Sequence, residues 1–258
     1  MRLSCGVCTD TGRIRENNED NFYLDGRIRE NVAQGHVLFG HKKWGRRLLA
    51  AVCDGMGGEE QGELASLLAV RALAAADPSI KKGKDLEEAF FAANRAVCEE
   101  IRKNGGQGMG STMTALLIKD GAAFPVNLGD SRIYLFRKGS LMRLTTDHSR
   151  AEVMRRAGLL TEAAARTHPG RYVLTRYLGV PEEELAPEPE RGEQIPLRRG
   201  DIFLLCSDGL TDMLPDTEIA RILSKGNRPE KQAEVLVEAA LACGGRDNVT
   251  VAVIRVCL

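Results

Sequence analysis

Five aspartates in this chain share one kind of position, because each stands where an apolar segment meets a turn. They are Asp20 in "NNEDNFYL", Asp54 in "VCDGMGG", Asp130 in "NLGDSR", Asp208 in "LLCSDGL" and Asp247 in "GGRDNVTV". Glu19 immediately precedes the first of them. The preference of Asp and Gly for turns accounts for any one of these acids alone. Five of them in one chain favour a second interpretation, in which strand ends bring the carboxylates to one rim.

Carboxylates gathered at one rim repel one another unless cations lie between them. The candidate ligands are all oxygens, and the histidines, at 36, 41, 148 and 168, form no zinc-binding pattern. Oxygen ligands select hard ions, and the sequence has no calcium-loop pattern, which leaves Mg²⁺ or Mn²⁺. Gly55 would let an ion approach its main-chain carbonyl beside Asp54.

Two hard ions that share a bridging carboxylate lower the pKa of bound water and hold the attacking and leaving oxygens of an in-line displacement. A phosphate ester is the natural substrate of such a centre. Arg15, five residues before Asp20, is the candidate for binding the phosphate, because a planar guanidinium matches phosphate oxygens. For Arg15 taken alone, the alternative is a solvated surface side chain.

The composition is that of an ordinary globular protein. The chain has 258 residues, 43% of them hydrophobic and 28% charged. Lys+Arg and Asp+Glu are both 36, so no bulk charge recruits nucleic acid or an anionic membrane. No apolar run is long enough to span a bilayer, and the N-terminus lacks a signal-peptide pattern. The seven cysteines are odd in number and several lie in apolar runs, which indicates a reduced, cytoplasmic protein.

Two short patterns point to other functions, and both are incomplete. Cys5 and Cys8 have CxxC spacing without a second pair, and on a strand they would point to opposite faces. "GGQGMGST", 105–112, resembles a phosphate-binding loop, but Ser111 stands where the Walker pattern requires Lys. The alternative is a tight turn into a core strand, with Ser111 and Thr112 packed near the acids.

Short apolar runs bounded by turn residues predict most of the strands. They lie at 2–8, 48–53, 112–118, 122–128, 132–136, 202–206 and 249–256. The run 111–144 predicts a meander with turns at "KDG", "GDS" and "KGS".

Helical periodicity predicts helices at 60–76, 85–103, about 150–157 and 230–242. Because strands and helices are partly segregated along the chain, the pattern favours an α+β fold with layered antiparallel sheets. The basic segment 25–47 and the Pro/Glu-rich segment 181–200 are predicted to be solvated loops. Docking of an acidic partner is the alternative for the first.

Seven motifs in order carry a resemblance to a known family. They are "TDTGRIRENNEDNF", "VCDGMGG", "GSTMTALLI", "VNLGDSRIYLFRKGSLMRLTTDHS", "RTHPGRYVLTRYLG", "LLCSDGLTDML" and "GGRDNVTVAVI". From about residue 4 to 256 the chain resembles the metal-dependent (type 2C) serine/threonine protein phosphatases in their bacterial single-domain form. The resemblance implies a four-layer αββα sandwich, with two antiparallel sheets flanked by helix pairs. It also implies one catalytic domain over 1–258, with a small mobile flap at about 149–172 beside the site.

The resemblance also implies a dinuclear centre of Mn²⁺ or Mg²⁺. Asp54 would bridge the two ions, and Gly55 would give its carbonyl. Glu19 and Asp20 would serve one ion directly or through water, Asp208 and Asp247 would hold the other, and Asp130 would pair with Asp208 around a possible third ion.

Two further positions follow from the same resemblance. Arg15 would bind the phosphate oxygens of the substrate. Many members have His after the Asp-Gly pair, proposed as the general acid, where this chain has Met56. Because a thioether cannot donate a proton, that role would pass to a metal-bound water or go unfilled.

The chain is therefore predicted to be a cytoplasmic, Mn²⁺- or Mg²⁺-dependent phosphatase that hydrolyses phosphoserine and phosphothreonine in proteins. It would oppose a bacterial Ser/Thr kinase, act as a monomer, and bind neither nucleic acid nor membrane. One alternative is a phosphatase devoted to a phosphorylated regulator of a sigma-factor switch. Another is a pseudophosphatase that binds without turnover, although such proteins usually lose metal-site acids and all six are present here.

Overall fold

The computed structural model describes residues 2–31, 35–45, 47–57, 61–104, 108–181 and 188–257, and gives 42–44 by backbone alone. The strands in these ranges are β1 (Arg2–Asp10), β2 (Asp20–Leu24), β3 (Arg27–Ile28), β4 (His36–Trp44), β5 (Arg47–Gly57), β6 (Met109–Ser111), β7 (Met113–Lys119), β8 (Ala122–Leu128), β9 (Arg132–Arg137), β10 (Ser140–Arg143), β11 (Glu190–Arg191), β12 (Ile195–Pro196), β13 (Ile202–Cys206) and β14 (Val249–Val256). The helices are α1 (Gln61–Ala76), α2 (Gly83–Lys103), α3 (Arg150–Arg156), α4 (Glu162–Thr167), α5 (Asp208–Thr211), α6 (Asp216–Ser224) and α7 (Pro229–Ala242).

The strands form two antiparallel sheets. The first has the order β10-β9-β13-β14-β1-β4, and the second has the order β11-β8-β7-β5-β2-β3 with β12 beside β8 and β6 beside β5. Every predicted strand is present, and so are the four predicted helices; α4, α5 and α6 were not predicted. The α+β class is therefore confirmed.

The two sheets pack face to face, and helices cover both outer faces. Between the sheets, Leu48 and Val52 of β5 lie in one buried cluster with Phe203 and Leu205 of β13. Side chains that alternate with these point outward because a strand is pleated. Those of the second sheet pack on α1 and α2, and those of the first pack on α5, α6 and α7. This arrangement is the predicted four-layer sandwich.

Burial on both faces explains why the central strands read as unbroken apolar runs. All five residues of β13 are buried, and six consecutive residues of β5, from Leu48 to Cys53, are buried as well. A strand with one face in water would alternate between apolar and polar residues. Each of these runs ends where the chain reaches the rim, and the next residues are the polar ones.

The predicted meander over 111–144 is wrong at its centre. β7 pairs with β8 and β9 pairs with β10, through turns in which Asp120 and Lys138 have φ of 48° and 50°. β8 and β9, however, belong to different sheets. The "GDS" segment is therefore a crossover between the sheets, and it sets Asp130 at the rim rather than in a hairpin turn.

Much of the segment 25–47 is strand rather than the predicted solvated loop. β4 pairs with β1 along nine residues, with Cys5 opposite His41. Val37 and Phe39 pack toward the core between the sheets, whereas Leu38 is 42% exposed. Residues 32–34 and 46 of this segment lie outside the described residues. In the segment 181–200, β11 and β12 pair with β8, and 182–187 lie outside the described residues.

Cys5 and Cys8 point to opposite faces of β1, as predicted. Cys5 packs between the sheets, and Cys8 packs under the helices on the outer face. The two thiols therefore do not converge. In the described part of the chain, no helix is both long enough and apolar enough to cross a membrane.

The segment 149–172 forms a compact helical insert. It contains α3, α4 and a short 3₁₀ helix, Pro169–Tyr172. Ser149 and Thr161 cap α3 and α4 through their side-chain oxygens, which accept from backbone N–H groups. An ion pair between Arg171 and Asp212 joins the insert to the end of α5.

Candidate metal centre

Strand pairing brings the predicted acids together from distant parts of the sequence. In the β2–β5 ladder, Asp20 lies directly opposite Asp54. Asp208 follows β13 at the start of α5, and Asp247 lies just before β14. Because β13 and β14 are neighbours, these two acids leave the sheet on the same rim, next to the first pair.

The main chain of Asp54 is held by the strand entry that the sequence placed near the acids. Its N–H donates to Thr112 Oγ1 at 3.0 Å, and its carbonyl accepts from Thr112 N at 2.8 Å and from Ser111 Oγ at 3.1 Å. The prediction that Ser111 and Thr112 pack near the site is confirmed. These bonds fix the direction in which Asp54 projects.

Glycine at position 55 is required by a close approach of three segments. A Cβ there would lie 2.0 Å from the carbonyl oxygen of Gly62 and 2.6 Å from that of Glu19. The Gly55 N–H donates to the Glu19 carbonyl at 3.1 Å. Gly62 has the same constraint, because a Cβ there would lie 2.5 Å from the Glu19 carboxyl carbon. The glycines thus let Glu19 fit between β5 and the start of α1.

Asp20 is the most deeply buried acid of the group, with an exposed fraction of 0%. Its Oδ2 accepts from Ser207 Oγ at 2.7 Å, and Ser207 Oγ in turn accepts from Thr250 N at 2.9 Å. Its Oδ1 is buried without a hydrogen-bond partner. A buried carboxylate oxygen with no donor is unfavourable unless a cation compensates it.

Burial and mutual repulsion raise the pKa values of the rim acids. Burial, followed by the neighbouring aspartates, raises the pKa of Asp54 and of Asp130 well above the usual range. For the same reasons the pKa of Asp208 rises to about 6, and its carboxyl is hydrogen-bonded to Asp54. Burial raises the pKa of Asp20 to about 7, with Asp208 and Asp247 adding to the effect. Burial also raises the pKa of Glu19.

Arg15 lies at the rim but pairs with one of its acids. Its Nη2 donates to Asp247 Oδ2 at 2.9 Å, with the two side chains 52% and 37% exposed. The hydrogen bond to Asp247 raises the pKa of the Arg15 guanidinium. Exposed ion pairs are weak, so the guanidinium is able to change partner.

The oxygen atoms of the rim acids suit a hard divalent cation, although their side chains are not directed at one common point. In the described ranges, no three His, Cys, Asp or Glu side chains are arranged to hold an ion as they stand. The rim nevertheless supplies oxygen donors, an unpartnered buried oxygen on Asp20 and carboxyls whose pKa values are raised by crowding. The oxygen donors favour Mg²⁺ or Mn²⁺ over softer metals, and the unpartnered oxygen and the crowding favour a bound cation.

Asn248 is a site residue that the sequence reasoning missed, although it lies in a motif that was singled out. It is 4% exposed, and its Nδ2 donates to the carbonyls of Thr11 and Asn17, each at 2.8 Å. Its Oδ1 accepts from Glu19 N at 2.7 Å. One side chain therefore fixes the loop that carries Arg15 and Glu19.

Arg29 was missed as well, because the segment that contains it was predicted to be solvated. It is 2% exposed and contacts the main chain at Asn18 and Asp20. The sequence offered no signal for this, since a basic residue in a polar segment is usually exposed.

His148 has a structural role beside the rim. Its Nδ1 accepts from Gly129 N at 3.1 Å, and its Nε2 lies 3.1 Å from a carboxylate oxygen of Glu190. Burial lowers the pKa of His148. It thereby supports the turn that leads to Asp130.

A cavity of about 550 Å³ lies between the rim and the helical insert. Asp130 and Asp208 line it from the rim, and Glu162, Arg166 and Arg171 line it from the insert. Charged groups from both sides therefore face a space next to the acids.

Comparison with known proteins agrees with this fold. The family model described as protein phosphatase 2C matches residues 30–243. The serine/threonine phosphatase stp of Listeria monocytogenes is 34% identical over 255 residues, which are 96% of this chain and 93% of that protein. The crystal structure of the serine/threonine phosphatase PstP/Ppp of Mycobacterium tuberculosis matches with a TM-score of 0.83 and 34% identity over 100% of both chains.

A second solved structure is that of a metal complex. The catalytic domain of PstP in complex with two manganese ions matches with a TM-score of 0.79 and 32% identity over 100% of both chains. The four-layer sandwich is thus the fold of a known class of hydrolase. The chain belongs to the protein phosphatase 2C family.

The raised pKa of Asp20 predicts a pH-dependent stability of the metal-free protein. Between about pH 4 and pH 7 the folded state holds a proton that the unfolded state has released, so the unfolding free energy falls as pH rises through this interval. Asp20→Asn lacks this proton. In EDTA, the stability of Asp20→Asn relative to wild type should therefore increase from about pH 5 to about pH 7, measured by urea denaturation. A difference that stays constant over this interval would contradict the account.

The bonds of Asn248 predict a large effect of a small substitution. Asn248→Ala leaves the Thr11 and Asn17 carbonyls and the Glu19 N–H without their partner, and should lower the unfolding free energy by roughly 1–3 kcal/mol. Asn17→Ala is the control, since its side chain is exposed and its effect should stay within about 0.5 kcal/mol. Equal effects of the two variants in chemical denaturation would mean that Asn248 does not fix the loop.

Proposed function

We propose that this protein hydrolyses phosphoserine and phosphothreonine in proteins, with two divalent cations, Mn²⁺ or Mg²⁺, bound at the acidic rim. One observation carries the proposal. The rim gathers acids from separate parts of the chain and buries one of them, Asp20, with a carboxylate oxygen that has no donor. The manganese complex of PstP supports the choice of metal.

The proposed ligands are those that the family resemblance implies, and the structure places these residues at one rim. Asp54 would bridge the ions, with the Gly55 carbonyl beside it, and the other ligands would be Glu19, Asp20, Asp208 and Asp247. Asp130, which interacts with Asp208, would serve a third ion. Two bound divalent ions acidify water and neutralise the charge of a phosphate group.

The side chains around the rim have distinct proposed tasks. Thr112 and Ser207 hold Asp54 and Asp20 in place through the hydrogen bonds described above. Arg15 would leave Asp247 and bind the phosphate oxygens, which accept from a planar guanidinium in a bidentate manner. Release from Arg15 would leave the Asp247 carboxylate free to bind a cation. Met56 offers no proton, so the leaving group would take its proton from water.

Several broader features belong to the same proposal. The chain would act as one catalytic domain over 1–258, with the insert at 149–172 as a flap beside the cavity. It would oppose a Ser/Thr kinase, work as a monomer and reside in the cytoplasm, where its thiols stay reduced. The described cysteines are all free. The pseudophosphatase alternative is disfavoured because all six acids are retained.

Loss of rim acids tests the catalytic role directly. With Mn²⁺ present, the wild type should hydrolyse a phosphothreonine peptide and p-nitrophenyl phosphate, and EDTA should abolish this activity. Asp54→Asn and Asp208→Asn should each lower kcat/KM by more than about 100-fold, beyond the 10–100-fold typical of an outer-shell partner. Asp120→Asn is the control, because Asp120 is exposed and its φ of 48° suits Asn. Retained activity in either rim variant would refute the assignment.

Arg15→Ala tests phosphate binding separately from the metals. The loss of a charge-assisted bond to the substrate in ground and transition states alike should raise KM on the order of 10-fold and leave kcat nearly unchanged. Affinity for Mn²⁺ should not fall, because the substitution frees Asp247. Arg13→Ala is the control, since Arg13 Nε donates to the Leu241 carbonyl at 2.8 Å and should not affect KM. A fall confined to kcat would give Arg15 a different role.

A further inference from the structure

Arg29 is a buried cation directly behind the acidic rim. Its residue is 2% exposed, although it lies in a segment rich in charge. Burying a guanidinium is costly unless hydrogen bonds and opposite charges compensate it. The position of this side chain is therefore a feature that the surrounding structure must maintain.

The guanidinium holds the main chain on both sides of Glu19. Arg29 Nη2 donates to the carbonyl of Asn18 at 2.5 Å and to the carbonyl of Asp20 at 2.6 Å. These two carbonyls belong to the peptide groups before and after the Glu19–Asp20 bond. A rotation of either peptide group would change the direction of a rim carboxylate, so one side chain restrains two of them.

The remaining main-chain groups of this segment are bonded too. Glu19 N donates to Asn248 Oδ1, Gly55 N donates to the Glu19 carbonyl, and Asp20 N donates to Asn18 Oδ1. The chain from the Asn18 carbonyl to the Asp20 carbonyl thus has a partner for every polar group. Arg29 supplies two of these bonds, and its side chain is the only charged one among the four partner residues named here, Asn18, Arg29, Gly55 and Asn248.

Arg29 is itself held in a fixed position. Its N–H donates to Asn21 Oδ1 at 3.1 Å, and Asn21 Nδ2 donates back to the Arg29 carbonyl at 3.1 Å. Asn21 is 0% exposed and belongs to β2, the strand that begins with Asp20. The guanidinium and the acids it serves are therefore anchored to one strand.

The charge of Arg29 is matched to the rim. Burial lowers the pKa of Arg29, and attraction to Asp20 and Glu63 opposes this. The attraction is mutual, so the guanidinium also favours the charged form of the buried Asp20. One terminal nitrogen of the guanidinium makes both bonds, and a delocalised guanidinium is more weakly hydrated than a lysine ammonium, so it is less costly to bury at this position.

We propose that Arg29 is a positioning residue of the metal centre, which fixes the main chain around Glu19 so that the Glu19 and Asp20 carboxylates are set toward the cations. This inference rests on the proposed metal site, in which both acids are ligands. Arg29 touches neither substrate nor the reacting atoms, and acts through the two acids. Its effect should therefore appear first in metal affinity.

The test is the affinity of the metal-free full-length protein for Mn²⁺, measured by calorimetry well below the unfolding temperature. Arg29→Met keeps the apolar stem and removes the fork, and should raise the Kd for Mn²⁺ by about 10–100-fold, as is typical when an outer-shell partner is lost. Arg29→Lys keeps the charge but not the fork, and should give an intermediate Kd. Arg137→Met is the matched control, because Arg137 pairs with Asp201 through a side chain only 15% exposed.

The outcomes separate this inference from the proposed function. A wild type that does not bind Mn²⁺ would overturn both. A wild type that binds, with an unchanged Kd in both Arg29 variants, would overturn the role of Arg29 alone, whatever their melting temperatures. A rise in Kd that Arg137→Met shares would also overturn it, because lost stability would then be the cause. If Arg29→Met does not fold, the Kd of Arg29→Lys decides.

Discussion

Repulsion among carboxylates at one rim of the sandwich is the constraint on which the rest of the structure depends. The strands could begin and end in any polar residues, yet five aspartates and Glu19 lie where apolar runs begin or end. Burial and proximity raise the pKa values of Asp20, Asp54, Asp130 and Asp208 together. Such an arrangement opposes folding in the absence of cations, so its presence indicates a function that outweighs this cost.

The framework around the rim works by restricting motion. Three of the six acids have a separate support: Thr112 for the Asp54 main chain, Ser207 for the Asp20 side chain, and Asn248 for the Glu19 main chain. Glycines at 55 and 62 allow the segments to come within contact distance. Ligands that are fixed before an ion arrives lose less conformational freedom when it binds, which is how a rigid scaffold raises affinity.

The sequence predicted the layers and the rim acids because both leave a local signal. Strands buried on two faces are unbroken apolar runs, and an acid at the end of such a run is visible without the fold. The crossover at Gly129 was not predictable, because turn residues do not tell whether the next strand joins the same sheet. β4 was not predicted, because only one of its faces packs on the protein. Its sequence therefore mixes polar and apolar residues like a solvated segment.

The contacts of charged side chains were the least predictable part of the site. Arg15 was expected to be free for phosphate, yet it pairs with Asp247, which lies 232 residues further along the chain. Arg29 was expected in solvent and is buried. Both outcomes depend on which distant segments meet, and residue type alone carries no information about that.

The most direct test of the central claim is a crystal structure grown with Mn²⁺, with anomalous scattering recorded at the manganese edge. The account predicts two neighbouring anomalous peaks at the rim, with Asp54 between them and Asp208 and Asp247 within ligand distance of about 2.0–2.3 Å, the range for hard divalent ions bound by oxygen. Asp20 is expected to contact an ion directly or through one water. A structure of the intact protein with no anomalous peak at these acids, or with manganese bound elsewhere, would contradict it.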